Sequence, residues 1–506
     1  MSPRRFLENS FILLPILLLG LAVIAWLRFA VDLPYWDDWR SYALGDIESL
    51  SLDSLFRPSN DTLYPVGKIL DALAFKLFDG NTVVYQFLTM ILMLGSILIL
   101  QWRLLLFSLQ DRFIAAIAFS FSILMLQPNS YWGIQTVAYH QGIPLVCTLL
   151  ALYIVLESRW PTSLRALALL LIGLVSGLSY TSGAFATLAL AVVTLLYSRL
   201  VFGRFRSPTG ALGLTLLAAG IFTSLAQAWV IFFYQEGVHV PGVALALPTE
   251  LNFWLCLLGK IARSLMLPMN EAALSLKLTV VVVFITTVLI SVGLVRGQSG
   301  SKDTDPWVPL TYVTISLIGM VSAYLLLVSA GRTNLRPAHI DAPLDVFAFG
   351  FHRFHYFWVT LLWPWVVAMG LHLAKTALGD RHLVLYKNIA IVFPLIFLTF
   401  FIEQGAFEHA RFQENNSQTR LAGQRCLIQK LQSREQLICR QLYPAPLDRA
   451  YKFALEQGAS FTRSIPVLPL PVLMTESKKP ATALIWSALP QDIGSLKLMN
   501  LQVRQI

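Results

Sequence analysis

Long apolar runs with almost no charge dominate this chain and restrict what it can fold into. Examples are 11–31, 82–107 and 308–330, each close to the length that crosses a bilayer core as a helix. Their apolar alternation is helical and lacks the period of two seen in outer-membrane barrel strands. We therefore predict an all-α polytopic membrane protein.

Composition supports this class and excludes two others. Of the 506 residues, 56% are hydrophobic and only 13% are charged, and the mean hydropathy is +0.65. A soluble cytosolic enzyme needs a more charged surface. The 13 Trp, 16 Tyr and 32 Phe residues exclude a disordered chain, because such chains carry few aromatic groups.

The apolar runs predict about 11 transmembrane helices. The first, following Arg4 and Arg5, is too long for a signal-peptide core and has no small-residue cleavage site, so we predict a retained span. Basic residues fall on alternate short turns, which predicts a cytoplasmic N-terminus and a C-terminal region on the outer side of the membrane. The predicted spans are 11–31, 82–107, 112–127, 143–157, 164–181, 184–200, 210–234, 276–296, 308–330, 357–375 and 387–402.

Two regions follow from this pattern. Residues 1–402 form a predicted transmembrane domain, with outer loops at 32–81, 235–271 and 331–357. Residues 403–506 form a predicted small extracytoplasmic appendage, here called the C-terminal region. In an oxidising compartment its two cysteines, Cys426 and Cys439, form a disulfide if they lie on separate stretches, but not if one continuous helix holds them apart.

The net charge of +10 does not indicate nucleic-acid binding. Lys and Arg are scattered between apolar spans and form no basic stripe interleaved with aromatic residues. Charges that set the orientation in the membrane explain this distribution. The expected partners are membrane lipids, and no nucleic acid.

The segment Pro34-Tyr35-Trp36-Asp37-Asp38-Trp39-Arg40 directly follows the first span. Tryptophans anchor a chain at headgroup depth, where a lipid-linked phosphate also lies. Asp37 and Asp38 are therefore candidates for a general base, or for ligands of a divalent cation; no other cofactor is expected. Adjacent side chains diverge, so we expect only one of the two to point into a site. The alternative interpretation is a helix start whose aspartates bind free backbone amides.

Four short elements together resemble a known family. They are Trp36-Asp37-Asp38-Trp39, then Asn60-Asp61-Thr62-Leu63, then Trp132-Gly133-Ile134-Gln135, and finally Gly331-Arg332 with Arg353-Phe354. In this order they resemble the bacterial GT-C type integral-membrane glycosyltransferases, in particular O-antigen-modifying and uncharacterised members. The resemblance implies a polyprenyl-phosphate-linked sugar as donor, an acidic catalytic residue after span one, and a lipid or glycan acceptor. It also implies insertion in the bacterial inner membrane, with the C-terminal region in the periplasm.

The match departs from the family pattern at two elements. Thr62 and Leu63 stand where the family-like element has His and Arg, and Phe354 stands where it has Tyr. Asn60 and Asp61 retain an amide and a carboxylate, so they stay as substrate-binding candidates. The altered element leaves a non-catalytic relative as an alternative.

The loop 331–357 is rich in cationic and histidine side chains. One Arg guanidinium can bind two phosphate oxygens at once, so this loop is a candidate phosphate site. Alternatively, these cationic side chains form salt bridges with Asp341 and Asp345. The candidate substrate-binding residues are Arg332, Arg336, His352 and Arg353.

A second outer turn is uncharged and aromatic. Trp132, Gln135 and His140 suit a sugar, whose apolar face stacks on aromatic rings and whose hydroxyls bond to amides. An aromatic belt at the membrane interface is the alternative.

Three function classes remain open. The first is a glycosyltransferase that moves a sugar from polyprenyl phosphate to a lipid-linked or cell-surface glycan at the outer face of the membrane. A lipid or polysaccharide transporter or flippase is the second, and it predicts ionisable residues at span centres and internal repeats, which most spans lack. The third is a non-catalytic GT-C-like protein.

Overall fold

The computed structural model describes residues 3–44, 50–58, 62–127, 138–157, 159–202, 207–234, 244–299, 306–352, 354–378, 383–443 and 445–465. Within these ranges all repeating structure is helical and no strand occurs, which confirms the predicted all-α class. The α-helices are α1 Pro3–Phe29, α2 Trp39–Leu44, α3 Leu52–Phe56, α4 Pro65–Phe78, α5 Thr82–Leu109, α6 Arg112–Ser120, α7 Ile143–Leu156, α8 Thr162–Ser179, α9 Thr181–Phe202, α10 Pro208–Trp229, α11 Leu251–Ser264, α12 Ala272–Ser299, α13 Trp307–Arg332, α14 Pro343–Phe349, α15 Phe357–Thr360, α16 Trp363–Leu378, α17 Leu383–Gln413, α18 Arg420–Gln432 and α19 Asp448–Glu456.

Ten helical runs in the described residues are long and apolar enough to cross a membrane. Each overlaps one predicted span, so the chain is a multi-pass membrane protein. The remaining predicted span, 112–127, corresponds to the shorter apolar helix Arg112–Leu126. The ten runs are Arg4–Phe29, Thr82–Leu109, Ala138–Leu156, Thr162–Ser179, Thr181–Leu200, Pro208–Phe233, Met269–Arg296, Trp307–Leu335, Phe354–Leu378 and Ala390–Gln432.

Helices dominate because a bilayer core offers no water to backbone amides and carbonyls, so each segment must bond to itself. Polar side chains then satisfy the amides left over at helix starts. Asn81 Oδ1 accepts from Val84 N at 3.0 Å, Asp111 Oδ1 accepts from Phe113 N at 3.0 Å, and Ser207 Oγ accepts from Gly210 N at 3.0 Å. These caps fix where α5, α6 and α10 begin.

Small residues allow α8, α9 and α10 to approach closely. A Cβ atom placed on Gly177 would lie 2.3 Å from Thr223 Oγ1, and one on Gly220 would lie 2.9 Å from the Leu188 backbone. Because lipid removes the hydrophobic drive between helices, such close contact is a main source of packing energy in membranes. By contrast, only 11% of the most apolar window of Met269–Arg296 is buried, so this helix presents its side chains to lipid.

Basic turns meet at one end of the helix bundle. Lys375 Nζ lies 2.6 Å from Asp111 Oδ2, Arg4 lies 3.7 Å from Asp111 Oδ1, and Arg296 donates to Thr376 Oγ1 at 2.9 Å. Burial alone would raise the pKa of Asp111, but the hydrogen bond and charge of Lys375, with backbone amides, lower it. The turns around Arg4, Asp111, Arg296 and Lys375 therefore lie together, and we call this the basic end.

At the opposite end, the C-terminal region packs on the segment that follows α1. Leu33, Trp39 and Tyr42 share one buried cluster with side chains of α18, α19 and the chain between them. Main-chain bonds join the two parts, from Trp36 N to Leu442 O at 2.9 Å and from Ser460 N to Asp79 O at 2.8 Å. The C-terminal region through residue 465 thus packs against the loop rather than standing apart. The predicted boundary at residue 402 falls within α17, and 466–506 lies outside the described residues.

A disulfide closes a loop in the C-terminal region. Helix α18 ends at Gln432, and the chain turns back so that the Cα atoms of Cys426 and Cys439 lie 5.9 Å apart and the two sulfurs are bonded. Of the two options left by the sequence, the structure therefore has the bridge. It stabilises the segment 437–442, which carries the carbonyl bonded to Trp36.

Removing this bridge should loosen the C-terminal region. A loop of this length contributes about 3 kcal/mol in the chain-entropy account, so Cys426→Ser with Cys439→Ser should lower the thermal stability and speed proteolysis of the C-terminal region. Limited proteolysis in detergent measures this. Dithiothreitol should speed cleavage of the wild type and leave the double variant unchanged. Equal cleavage of all samples would contradict the stabilising role.

The packing also predicts sidedness. Single cysteines at Leu52 and Ser433, both exposed, should react with a membrane-impermeant maleimide from the same side, and one at the exposed Ala377 from the other side. The background is low because Cys147 and Cys256 are buried. Labelling of positions 52 and 433 from opposite sides would refute the arrangement.

Candidate functional site

The turn Trp36–Asp38 separates its two aspartates. Trp36 has a φ of 52°, a left-handed value that costs energy for a large side chain, and its amide is bonded to Leu442 O. The three residues form a tight 3₁₀ turn leading into α2. Asp38 is only 2% exposed, whereas the side chain of Asp37 is 41% exposed. As expected for adjacent residues, the two carboxylates lie in different surroundings.

Asp38 faces the buried Arg420. The charge of Asp38 acts on Arg420, which is 1% exposed and donates to Leu33 O at 3.1 Å. The guanidinium also lies 4.8 Å from the ring centre of Tyr35. Asp38 therefore compensates a buried cation between the first loop and the C-terminal region, which is a structural role.

Asp37 faces the other way. Its carboxylate lies 3.4 Å from Arg40, and its charge also acts on His140. Burial by itself lowers the pKa of Arg40, but the charges of Asp37 and Tyr443 outweigh this and raise it, so Arg40 stays cationic. Asp37, Arg40 and His140 thus form one electrostatic neighbourhood that Arg332 also enters.

A cavity of about 290 Å³ lies beside these charges. Its polar lining combines one guanidinium, two imidazoles, an amide and several hydroxyls, and its other walls are apolar. His140 and Arg332, both predicted from the sequence, are among its lining residues. The lining consists of His140, Gln141, Tyr180, Thr181, Ser182, Phe185, Ala228, Ile231, Phe232, Leu245, Tyr324, Leu327, Val328, Ala330, Gly331, Arg332 and His355.

Hydrogen bonds link three side chains of the cavity wall, Gln141, Tyr324 and His355. Gln141 Nε2 donates to the Tyr324 hydroxyl at 2.8 Å, and that hydroxyl lies 3.2 Å from His355 Nδ1. The ring of Tyr324 is stacked on Trp358 with centroids 4.5 Å apart. Packing and hydrogen bonding therefore hold these polar groups in place before any ligand arrives.

His140 and Gln141 are presented by an unusual turn. Residues Ala138–Gly142 form a π-helical turn directly before α7. His140 stacks on Tyr180 at 3.7 Å, and Ser182 Oγ donates to the His140 carbonyl at 3.0 Å. Single π-helical turns often mark functional positions, since they redirect side chains that a regular helix would place elsewhere.

Buried polar residues behind this turn fix its position. Tyr139 donates to Asp71, which is 8% exposed and lies in α4, and Tyr85 bonds to the Tyr139 hydroxyl. In the same helix Lys68, 3% exposed, donates to Ser54 O at 2.7 Å. Sequence reasoning missed Asp71. The available signal was Lys68 and Asp71 spaced three apart in a mostly apolar helix whose one other charged residue is Lys76.

The cavity reaches the apolar surface of the bundle on one side. Phe232 and Leu245 line it and are 63% and 57% exposed. The neighbouring Ala246 N bonds to Ala330 O at 3.0 Å, which ties the segment before α11 to the end of α13. A ligand with an apolar tail can therefore extend from the cavity along this exposed apolar surface.

Two predicted residues of the loop 331–357 do not line the cavity. Arg336 lies 3.1 Å from Asp341 Oδ1 and donates to Ile340 O at 2.8 Å, so it uses its charge within its own loop. His352 packs on Phe349, and its carbonyl accepts from Lys260 Nζ at 3.0 Å. His355 and Tyr324, which were not among the predicted site residues, occupy the wall instead.

The other predicted site residues lie outside the described residues. These are Asn60, Asp61, Trp132, Gln135 and Arg353. Within the described ranges, no three His, Cys, Asp or Glu side chains meet as a set that could hold a metal ion. A divalent cation at the aspartates stays a prediction.

We compared the chain with models of known protein families and with curated protein sequences, and neither comparison gave a match. Function must therefore be argued from the cavity and its surroundings.

The different surroundings of the two aspartates predict different stability effects. Asp38→Asn removes the larger of the two carboxylate charges, Asp38 and Asp32, that act on the buried Arg420, and it should destabilise the protein by about 3 kcal/mol, as in other broken buried pairs. Asp37→Asn should change stability little, because Asp37 is partly exposed. Thermal unfolding in detergent measures both. Equal midpoints for the two variants would contradict the assignment.

Proposed function

We propose that this protein is a membrane glycosyltransferase. It moves a sugar from a polyprenyl-phosphate donor to a lipid-linked or cell-surface glycan acceptor at the outer face of the membrane. The observation that carries this proposal is the cavity itself. It combines Arg332 and two histidines with an opening toward lipid, and Asp37 acts on its His140.

A lipid-borne phosphate suits this arrangement. Arg332 ends α13 at the cavity, where its guanidinium can bind phosphate oxygens. The exposed Phe232 and Leu245 suit the first units of a polyprenyl chain. A soluble nucleotide-sugar would gain nothing from an apolar opening. The opening at Phe232 and Leu245 therefore favours a lipid-linked donor.

Asp37 is the group proposed to act as general base. An acceptor hydroxyl would give its proton to the Asp37 carboxylate while its oxygen bonds to the anomeric carbon of the sugar. The bond between that carbon and the phosphate oxygen breaks, and the electron pair leaves with polyprenyl phosphate. Arg332 would stabilise the negative charge that grows on the departing phosphate.

Asp37 is preferred over Asp38 because of access. Asp38 is 2% exposed and serves Arg420, whereas Asp37 is partly exposed and on the side of His140. The resemblance to GT-C enzymes also implies an acidic residue after span one. The resemblance fits either carboxylate, and access selects Asp37.

The disulfide supports a site outside the cytoplasm. Disulfides persist in the periplasm and are rare in the cytosol. Cys426 and Cys439 lie in the C-terminal region, which packs on the Trp36–Asp38 turn at the end opposite the basic end. This placement agrees with the prediction that the basic end faces the cytoplasm.

Substitution of the two proposed site residues should separate chemistry from binding. In membranes supplied with a labelled polyprenyl-phosphate sugar, Asp37→Asn should reduce transfer at least about a hundredfold with donor binding retained, because a general base is lost. Arg332→Ala should weaken donor binding by about tenfold or more, since a charge-assisted bond is lost.

Matched controls are available on exposed surfaces. Asp53→Asn and Arg159→Ala remove the same groups from side chains that are 90% and 88% exposed. Both controls should keep wild-type transfer and binding. Wild-type transfer by Asp37→Asn, or unchanged donor affinity in Arg332→Ala, would remove that residue from the mechanism.

A further inference from the structure

Gln141 carries a polar atom that the protein does not satisfy. The residue is 1% exposed and lines the cavity, and its Nε2 donates to Tyr324. Its Oε1 is buried and accepts no hydrogen bond within the part of the chain that the structure describes. Buried polar atoms are normally bonded, so an unsatisfied atom in a residue that lines a cavity indicates a place for a ligand.

The hydrogen-bond chain sets the chemistry of this place. When the Tyr324 hydroxyl donates its hydrogen to His355 Nδ1, its oxygen accepts the hydrogen bond from Gln141 Nε2. The carbonyl oxygen of Gln141 then remains without a partner among the described residues. A carbonyl oxygen only accepts, so the ligand group that meets it must be a donor.

This requirement distinguishes the parts of a lipid-linked sugar. An ionised phosphodiester and a polyprenyl chain have no donors, whereas the hydroxyls of a sugar ring do. Next to Gln141, the stacked rings of His140 and Tyr180 offer a flat aromatic surface to the apolar side of such a ring. A cavity of about 290 Å³ is at the small end of ligand pockets, which suits one compact headgroup.

We propose that Gln141 Oε1 accepts a hydrogen bond from a hydroxyl or amide group of the donor's sugar, and that Gln141 thereby distinguishes the sugar-bearing lipid from bare polyprenyl phosphate. This inference rests on the proposed glycosyltransferase function. It divides the cavity into a phosphate part at Arg332 and a sugar part at Gln141. Once transfer is complete, the remaining polyprenyl phosphate loses the contact to Gln141 and leaves more easily.

The test compares two kinds of lipid on the full protein in nanodiscs. One probe is bare polyprenyl phosphate. The other is the tightest binder among polyprenyl phosphates that carry a hexose, an N-acetylhexosamine or a pentose. The wild type should bind the sugar-bearing lipid about tenfold more tightly than the bare lipid, and Gln141→Leu should reduce this ratio to about one without weakening the bare lipid.

A matched control and a second variant complete the design. Gln101→Leu removes an amide that is also 1% exposed but does not line the cavity, and it should keep the wild-type ratio. Should Gln141→Leu fail to fold, Gln141→Met gives the same removal with an unbranched side chain.

The outcomes separate the two proposals. If the wild type binds both lipids equally, or if the Gln141 variant keeps the preference, the inference is overturned and the proposed function stands. If the wild type binds neither kind of lipid, the proposed function itself is overturned, and this inference with it.

Discussion

Burying a cation is expensive, and the way this protein compensates buried cations organises its functional end. Arg420 donates to Leu33 O, Lys260 donates to Gly350 O at 2.8 Å, and Lys68 donates to Ser54 O. Each of the three cations is at most 3% exposed. An ammonium or guanidinium in a dry setting needs hydrogen-bond or charged partners, so each of these contacts holds two chain segments together.

These contacts determine where the cavity forms. Lys260 ties α11 to the loop that leads to His355, and Arg420 ties the C-terminal region to the segment before Asp37. Arg263 adds a buried pair with Glu408 at 2.7 Å. Burial alone would lower the pKa of Arg263, but Tyr356 and Glu408 raise it, so the pair stays charged. Helix α11 thus turns its two charges, Lys260 and Arg263, inward and leaves Trp254 44% exposed.

The sequence predicted the features that depend on local pattern. The spans followed from apolar length, and the divergence of Asp37 and Asp38 followed from their being adjacent. Features that need distant partners were not predictable: the packing of Trp39 on the C-terminal region, and the bond from Tyr139 to Asp71. Gln141 directly follows the predicted His140, but no sequence pattern assigned it a role. Only the position of Tyr324, 183 residues away, gives its oxygen a role.

The charged residues at this end of the protein therefore fall into two groups. Charges with structural partners, such as Asp38 and Arg336, hold segments together, and those beside the cavity, Asp37 and Arg332, are the ones proposed to act on a ligand. Composition alone does not separate these groups, since both kinds come from the same two loops. Burial and partners separate them.

The most direct test of a cavity for a lipid-borne phosphate is native mass spectrometry of the protein purified gently from its own membrane. The account predicts one polyprenyl phosphate, with or without a sugar, bound per chain, and loss of that lipid in Arg332→Ala. Only bulk phospholipids on the wild type, or polyprenyl phosphate retained equally by Arg332→Ala, would contradict it.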